Sequence, residues 1–310
     1  MNVASRAKGT SLGSFQLNFP TLPHTFLRAM ELSRDVENIN IDEVVQVVQN
    51  DLSAVTRILR VVNSAYHGVR SEINSIRRAV VVLGPEAVLG IVMSMSLVDL
   101  RSNLNVTTTV PFLNLVRHSI ATGFIARHLV SKTALTRSGN MDPQELLNEA
   151  FTAGLLHDFG KIVLLHNFPD EAAALYEEQM SLEKSDKEIL EIERQVFGFS
   201  HAETGGYLMN ELNFPPVISA IVERHHNFDV VDELPPYTRS LLYIVVMSNR
   251  LANALGHGFN HEITEHKFAE DPVLDLLMAD KVFDINDKVT LIDESLELRP
   301  FVDEYLSEVA

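Results

Sequence analysis

Six side chains from residue 118 onward have the types to hold metal ions: His118, His157, Asp158, His201, His225 and His226. Imidazole is the common neutral nitrogen ligand, and aspartate is a hard anion that can bridge two ions. Four of the six form adjacent pairs, His157-Asp158 and His225-His226. Neighbours on a helix point about 100° apart, so each pair is an awkward chelate for one ion from one helix face. The pairs suit a two-ion site, where one member serves each metal or Asp158 bridges both. Two ions roughly 3.5–4 Å apart are the usual arrangement for attack on phosphate esters. Lys161 follows His157 by four residues and would share its face if the helix ran on through Gly160. Plainer uses stay open for each piece. His118 could be a core histidine, His201 a residue at a helix start, and the His-His pair a complement to a helix dipole. His24, His67, His128, His166, His257, His261 and His266 have no comparable context and are read as structural.

The elements that must position these side chains read as helices almost throughout. Asn40 with Glu43 has the spacing of a capping box, and Ile41, Val44, Val45 and Val48 behind it repeat at the helical period. Asp51 or Ser53 can open the next helix, Ser75 the one after, and Gly84-Pro85 can end one helix and begin another. The valine run 80–82 has strand propensity, but helix signals flank it on both sides. Helices are expected over about 112–128, from Asp142-Pro143 to about His157, behind the Ser200–Glu203 capping box, from Pro215-Pro216 to His226, and over about 239–255. Residues 170–195 are acidic with a helical period. The expected class is all-α. A threonine-rich stretch at 101–111, ending in Pro111, marks the expected boundary between two lobes.

Composition narrows the function classes. The 310 residues are 46% apolar, as a folded chain requires. The absence of cysteine excludes disulfides, thiolate metal sites, iron–sulfur clusters and cysteine nucleophiles. With 25 basic and 42 acidic side chains the net charge is −17, and no basic face for nucleic acid is visible. The acidic excess lies beyond residue 105, with all six candidate ligands, and an acidic field favours cations. The apolar run 79–98 is broken by Gly84, Pro85 and Glu86, so no membrane span is expected. No export signal is seen, and a cytoplasmic location is expected.

The stretch Gly154-Leu-Leu-His157-Asp158-Phe-Gly160-Lys161 resembles the central motif of the HD superfamily of metal-dependent phosphohydrolases. Within it the chain resembles the HDOD family, the HD-related output domain of bacterial signalling proteins. Asn50-Asp51-Leu52, Arg57 through Tyr66, Ser75-Ile76 with Ala79, and Leu83-Gly84 match that pattern early in the chain. Arg117-His118-Ser119, His201-Ala-Glu203-Thr-Gly205 and His225-His226 follow in the family's order. The resemblance covers about residues 20–255. It implies an N-terminal helical bundle over 20–105 packed on an HD-like helical lobe over 106–280; outside it, the polar residues 1–19 with Gly9 and Gly13 read as a flexible arm, and 281–310 as a C-terminal extension. It further implies one or two divalent metal ions (Fe, Mn, Zn or Ni) on His118, His157, Asp158, His201, His225 and His226. Asp158 and Lys161 would be catalytic, with Lys161 on a substrate phosphate.

Three departures bear on catalysis. Active cyclic-dinucleotide phosphodiesterases of this type have a glutamate one turn before the first ligand histidine, where this chain has Asn114. A late aspartate aligns with Asn249. Their Gly-Tyr-Pro signature is replaced by Asn227-Phe228-Asp229. Two readings follow: a regulatory interaction module with a degenerate metal site, or a metal-dependent phosphohydrolase or phosphodiesterase. The expected partners are a signalling protein, which would deliver the input, a phosphate ester or nucleotide, and a second copy of the chain.

Overall fold

A computed structural model describes residues 17–18, 20–33, 39–64, 73–104, 110–133, 135, 142–179, 186–227, 231–258, 273, 275–276, 293–294, 297 and 299–309. The N-terminal arm through residue 16 and the greater part of 259–298 lie outside them, as do Ala65, Tyr66 and residues 105–109 of the expected boundary. The fold is all-α, as expected, and no β-strand occurs among the described residues. The first five helices are α1 (His24–Ser33), α2 (Ile41–Gln49), α3 (Leu52–Ser64), α4 (Ile76–Leu83) and α5 (Pro85–Asp99). Then come α6 (Val110–Ser131), α7 (Pro143–Leu156), α8 (Phe159–Asn167), α9 (Pro169–Gln179) and α10 (Asp186–Phe197). The last are α11 (His201–Glu211), α12 (Pro216–Arg224), α13 (Pro236–Ala254) and α14 (Arg299–Val309).

Helix starts follow local cap chemistry. A side-chain oxygen accepts one of the backbone N–H groups that the first turn leaves unpaired. Asn40 caps α2 through Asp42 N–H, Asp51 receives Ala54 N–H at the head of α3, and Ser75 caps α4. Asp142 caps α7 with Pro143 in its first turn, and Ser200 with Glu203 closes a full capping box on α11. Gly84 takes φ 87°, a conformation that costs other residues a Cβ clash. There the chain turns by 115° from α4 into α5, which divides the long apolar run in two. No single helix among the described residues is long and apolar enough to cross a membrane. The valine run is helical: Val80 is buried, while Val81 and Val82 stand 65% and 43% exposed.

Helices α1–α5 pack on one another, and α5 lies against α6 and α7. One continuous apolar core runs from Phe26 to Leu306. Phe26 of α1 meets Phe159 of α8 with ring centroids 6.4 Å apart, so the first helix braces a site-bearing one. α14 docks through Tyr305 on Phe124 of α6 at 4.5 Å. Two glycine contacts set the spacing around the site. A Cβ on Gly154 of α7 would sit 2.8 Å from Gly123 Cα on α6. A Cβ on Gly160 of α8 would overlap the His201 carbonyl and come 2.8 Å from Gly205 N on α11. Bare backbone at these positions lets α6, α7, α8 and α11 approach closely enough for their short side chains to meet.

Candidate metal centre

All six predicted ligands converge, and all are buried. His118 comes from the middle of α6, and His157 and Asp158 form the turn between α7 and α8. His201 is the first residue of α11, and His225 and His226 follow the last residue of α12. Asp158 is the hub. Its Oδ1 lies 3.2 Å from His201 Nε2 and 3.4 Å from His225 Nε2. Its Oδ2 lies 3.6 Å from His157 Nε2 and 3.9 Å from His118 Nε2. His226 Nε2 joins the Oδ1 side, 3.1 Å from His201 Nε2. Ligand atoms of Asp158, His201, His225 and His226 therefore fall within 4.8 Å of one another, and so do those of His118, His157 and Asp158.

The expected awkwardness of the adjacent pairs does not arise. Both pairs begin at a helix C-cap, His157 after α7 and His225 after α12, where the regular helix is ending, so the 100° rule governs them only loosely. His225 and His226 serve the same side rather than one ion each, and Asp158 is the residue that faces both. Lys161 also differs from the sequence-based geometry. It belongs to α8, and its Nζ donates to Asp158 Oδ2 at 2.8 Å rather than sharing a helix face with His157.

The ring orientations test whether a cation fits. His118 Nδ1 is 2.7 Å from His257 O, His157 Nδ1 2.7 Å from Gly154 O, and His225 Nδ1 2.8 Å from Val222 O. A carbonyl oxygen only accepts, so each Nδ1 carries the proton and each neutral ring turns its Nε2 lone pair inward. His201 also turns its Nε2 inward, held by Glu193, whose Oε2 accepts from its Nδ1 at 2.6 Å and from its backbone N–H at 2.8 Å. The lone pairs of the neutral His118, His157 and His225 rings face the oxygens of a carboxylate. His157 Nε2 and Asp158 Oδ1 are fully buried without a hydrogen-bond partner. Leaving a buried acceptor unpaired costs about 1–3 kcal/mol, and a shared cation removes that cost at several atoms together. The donor set fits a divalent transition metal, for which imidazole nitrogens are the preferred ligands.

Electrostatics support ligand-ready protonation states. Burial lowers His118 to about 4 and His225 to about 3, and it holds His157 well below the ordinary range. Burial opposes ionisation of Asp158, but Lys161 and then His157 outweigh it and hold the carboxyl far below its usual range. His201 is the exception. Burial would lower it, yet Glu193 raises it.

Glu193 is the functional residue that the sequence reading missed. It is 0% exposed on α10, and its Oε1 accepts from Tyr176 OH at 3.0 Å. A signal was present. Ile189, Glu193 and Phe197 follow at four-residue steps, so a carboxylate stands on the buried stripe of an otherwise acidic, solvated helix. Asn249 of α13 is buried and hydrogen-bonds to His118, and Asn253 donates to its Oδ1 at 3.0 Å. Asn114 is half-buried one turn before His118.

Comparisons with known proteins agree with this architecture. The family model described as the HDOD domain matches residues 19–228. An uncharacterized protein of Treponema pallidum (strain Nichols) is 25% identical over 234 residues, which are 75% of this chain and 42% of that one. The chain thus spans less than half the length of that relative. An HDOD domain protein of unknown function from Geobacter sulfurreducens superposes with TM-score 0.71 at 23% identity, covering 98% of this chain and 97% of that one. A Marinobacter aquaeolei VT8 structure named "Putative signal transduction protein" gives 0.68 at 19% identity, covering 99% and 64%. A Shewanella amazonensis SB2B structure named "Putative phosphohydrolase" gives 0.66 at 18% identity, covering 94% and 95%. At these identities the structural likeness speaks to the fold alone.

Proposed function

Because the chain belongs to the HDOD family, we propose that it is a signal-transduction module that keeps one divalent transition-metal ion on Asp158, His201, His225 and His226. It acts through protein contacts and hydrolyses cyclic dinucleotides poorly or not at all. The observation that carries this reading is the amide at Asn249. It sits against His118, where the resemblance places a metal-binding carboxylate in active relatives. Asn114 stands at the other place where such relatives hold an acid. A two-ion site gathers four positive charges. Two unit charges 4 Å apart interact by on the order of 4 kcal/mol at an effective dielectric of 20, so each missing carboxylate forfeits much of a second ion's affinity. An amide oxygen can coordinate, but it cannot neutralise.

The enzyme reading is supported by the intact pairing of Asp158 with Lys161, a buried anion and cation in one motif. In that reading a bound ion supplies Lewis acidity and an activated water. Asp158 holds and orients the site, Lys161 offers a cation to a phosphate oxygen, and the buried histidines exclude bulk water.

Metal content and phosphodiesterase turnover, measured on the wild type and on Asn114→Glu with Asn249→Asp, separate the two. One bound ion and no turnover in the wild type, with a second ion gained by the double variant, are expected. Two tightly held ions and brisk metal-dependent turnover in the wild type would replace the module with the enzyme.

A further inference from the structure

We propose that the C-terminal helix α14 is a positioning strap for the metal centre: Arg299 and Asp303 hold the turn that follows α13, and the His257 carbonyl in that turn aims the His118 ring at Asp158. The inference goes beyond the module reading and does not depend on how many ions bind. α13 and α14 both lie beyond residues 19–228, the part matched by the family model. α13 ends in a turn closed by two backbone bonds, from His257 N–H to Ala252 O at 2.8 Å and from Gly256 N–H to Asn253 O at 3.0 Å. Gly256 makes the reversal at φ 86°, the left-handed conformation in which helices commonly end at glycine. The reversal brings His257 O to 2.7 Å from His118 Nδ1. The turn also packs on the other support of that ring. A Cβ on Gly258 would overlap Asn253 Oδ1, and Asn253 donates to Asn249, which hydrogen-bonds to His118.

Helix α14 grips this turn from outside. Arg299 Nη2 donates to Leu255 O at 3.0 Å, one of the carbonyls that a helix end leaves unpaired. A cation there also complements the helix dipole. Asp303 stands four residues on, on the same face of α14, and its Oδ1 lies 3.2 Å from His257 Nε2. Val302, Tyr305 and Leu306 are buried beneath the helix. Tyr305 packs on Phe124 of α6, the helix that carries His118, and α14 also lies on α3 and α5. One helix thus ties N-terminal helices, the helix bearing His118 and the turn that orients its ring. The other rings have local support. His157 and His225 lean on carbonyls three residues before them, Gly154 and Val222. The carbonyl that holds His118 is 139 residues away in sequence, so its position depends on whatever fixes the turn. The Asp303 side chain is 56% exposed, which leaves one end of the strap open to a protein partner.

The test reads the rings directly, by long-range proton–nitrogen NMR of the histidine side chains in the metal-free full chain at neutral pH. In the wild type His118, His157 and His225 should each carry a slowly exchanging proton on Nδ1. Arg299→Ala with Asp303→Ala should speed exchange of the His118 proton by about tenfold or more, the scale of one net hydrogen bond. The same pair should leave the His157 and His225 protons within about twofold of wild type. Arg299→Lys with Asp303→Asn keeps a donor and an acceptor and should hold the His118 proton near its wild-type rate. Unchanged exchange at His118 in the alanine pair would show that the turn aims the ring unaided. Equal acceleration at all three rings would reduce α14 to a general brace. A conservative pair as fast as the alanine pair would remove the two contacts as the cause. Each of these outcomes overturns the inference. If the alanine pair folds poorly, Asp303→Ala alone, at an exposed position, must still speed the His118 proton selectively, and its failure to do so overturns the inference as well.

Discussion

The two oxygens of Asp158 look onto differently built surroundings, and the contrast shows how one carboxylate can sit between a strong and a weak half-site. On the Oδ1 side three imidazoles meet, with His201 within hydrogen-bonding distance of both His225 and His226. One of them, His201, leans on a buried carboxylate. On the Oδ2 side two imidazoles stand farther off and both lean on backbone carbonyls, while the oxygen itself accepts from Lys161. A histidine that donates to a carboxylate is a more basic ligand than one that donates to a carbonyl. The supporting partners, as much as the ligands, therefore make the halves unequal.

The largest break comes at the shared residue. Asp158→Asn should lower transition-metal affinity by at least 1000-fold, since it removes the one anion facing both halves and takes from buried Lys161 the carboxylate it donates to. Calorimetric titration with Zn2+ checks it, and an affinity within tenfold of wild type would mean that the centre is not built on Asp158. The next comparison is lateral. His201→Ala should cost on the order of 100-fold in Zn2+ affinity, whereas His118→Ala should cost less than about fivefold, because the ion is held on the Oδ1 side. Equal losses for the two would erase the difference between the halves.

Acidity should affect both sides through one mechanism. His118 titrates near 4 and His225 near 3 in the fold, against about 6.5 for an unfolded imidazole. Folded values below unfolded ones mean that the unfolded chain binds the extra protons. Stability is then complete above about pH 6.5 and falls as the pH drops toward 4. Each such ring contributes a slope of about 1.4 kcal/mol per pH unit in that window. His157 adds to it, and His201, raised by Glu193, opposes it. Between pH 7 and pH 5.5 the metal-free protein should lose roughly 3 kcal/mol, measured by urea unfolding at each pH. A flat profile would show that the rings are not buried in neutral form.

Much of this arrangement is legible in the residues. Asn40, Asp51, Ser75, Asp142 and Ser200 announce helix starts because cap chemistry is local, needing only a side chain and the next few N–H groups. The six candidate ligands are recognisable because they follow in order along the chain and because glycines flank His157-Asp158 in one motif. What sequence could not give depends on where chain ends up in space. The His225-His226 pair looks like a poor chelate until Arg224 proves to be the last helical residue. Lys161 seems matched to His157 by its four-residue spacing until the turn at Asp158 breaks the helix. Glu193 sits eight residues before His201 with no motif between them, and the chain passes through Gly198 at φ 91° to bring them together. Only the buried stripe of α10 hints at it.

Glu193 supplies the last and smallest test of the inequality. Its carboxylate binds His201 twice and Tyr176 once, so it fixes the ring that lies nearest Asp158 Oδ1. Glu193→Gln keeps the volume and one carbonyl oxygen that His201 Nδ1–H can still reach, but it removes the negative charge. Tyr176 can then turn its hydroxyl to accept from the new amide. The fold should survive, and the ring should keep its orientation but lose basicity. Loss of such a supporting partner typically costs 10–100-fold in metal affinity. Because geometry is largely kept, the low end, about tenfold, is expected for Zn2+. Tyr176→Phe leaves the contact to His201 intact and should change the affinity by no more than about twofold. Unchanged Zn2+ binding in Glu193→Gln would show that the carboxylate only fills the core. Binding lost as completely as in His201→Ala would show that it fixes the ring's position rather than tuning its strength.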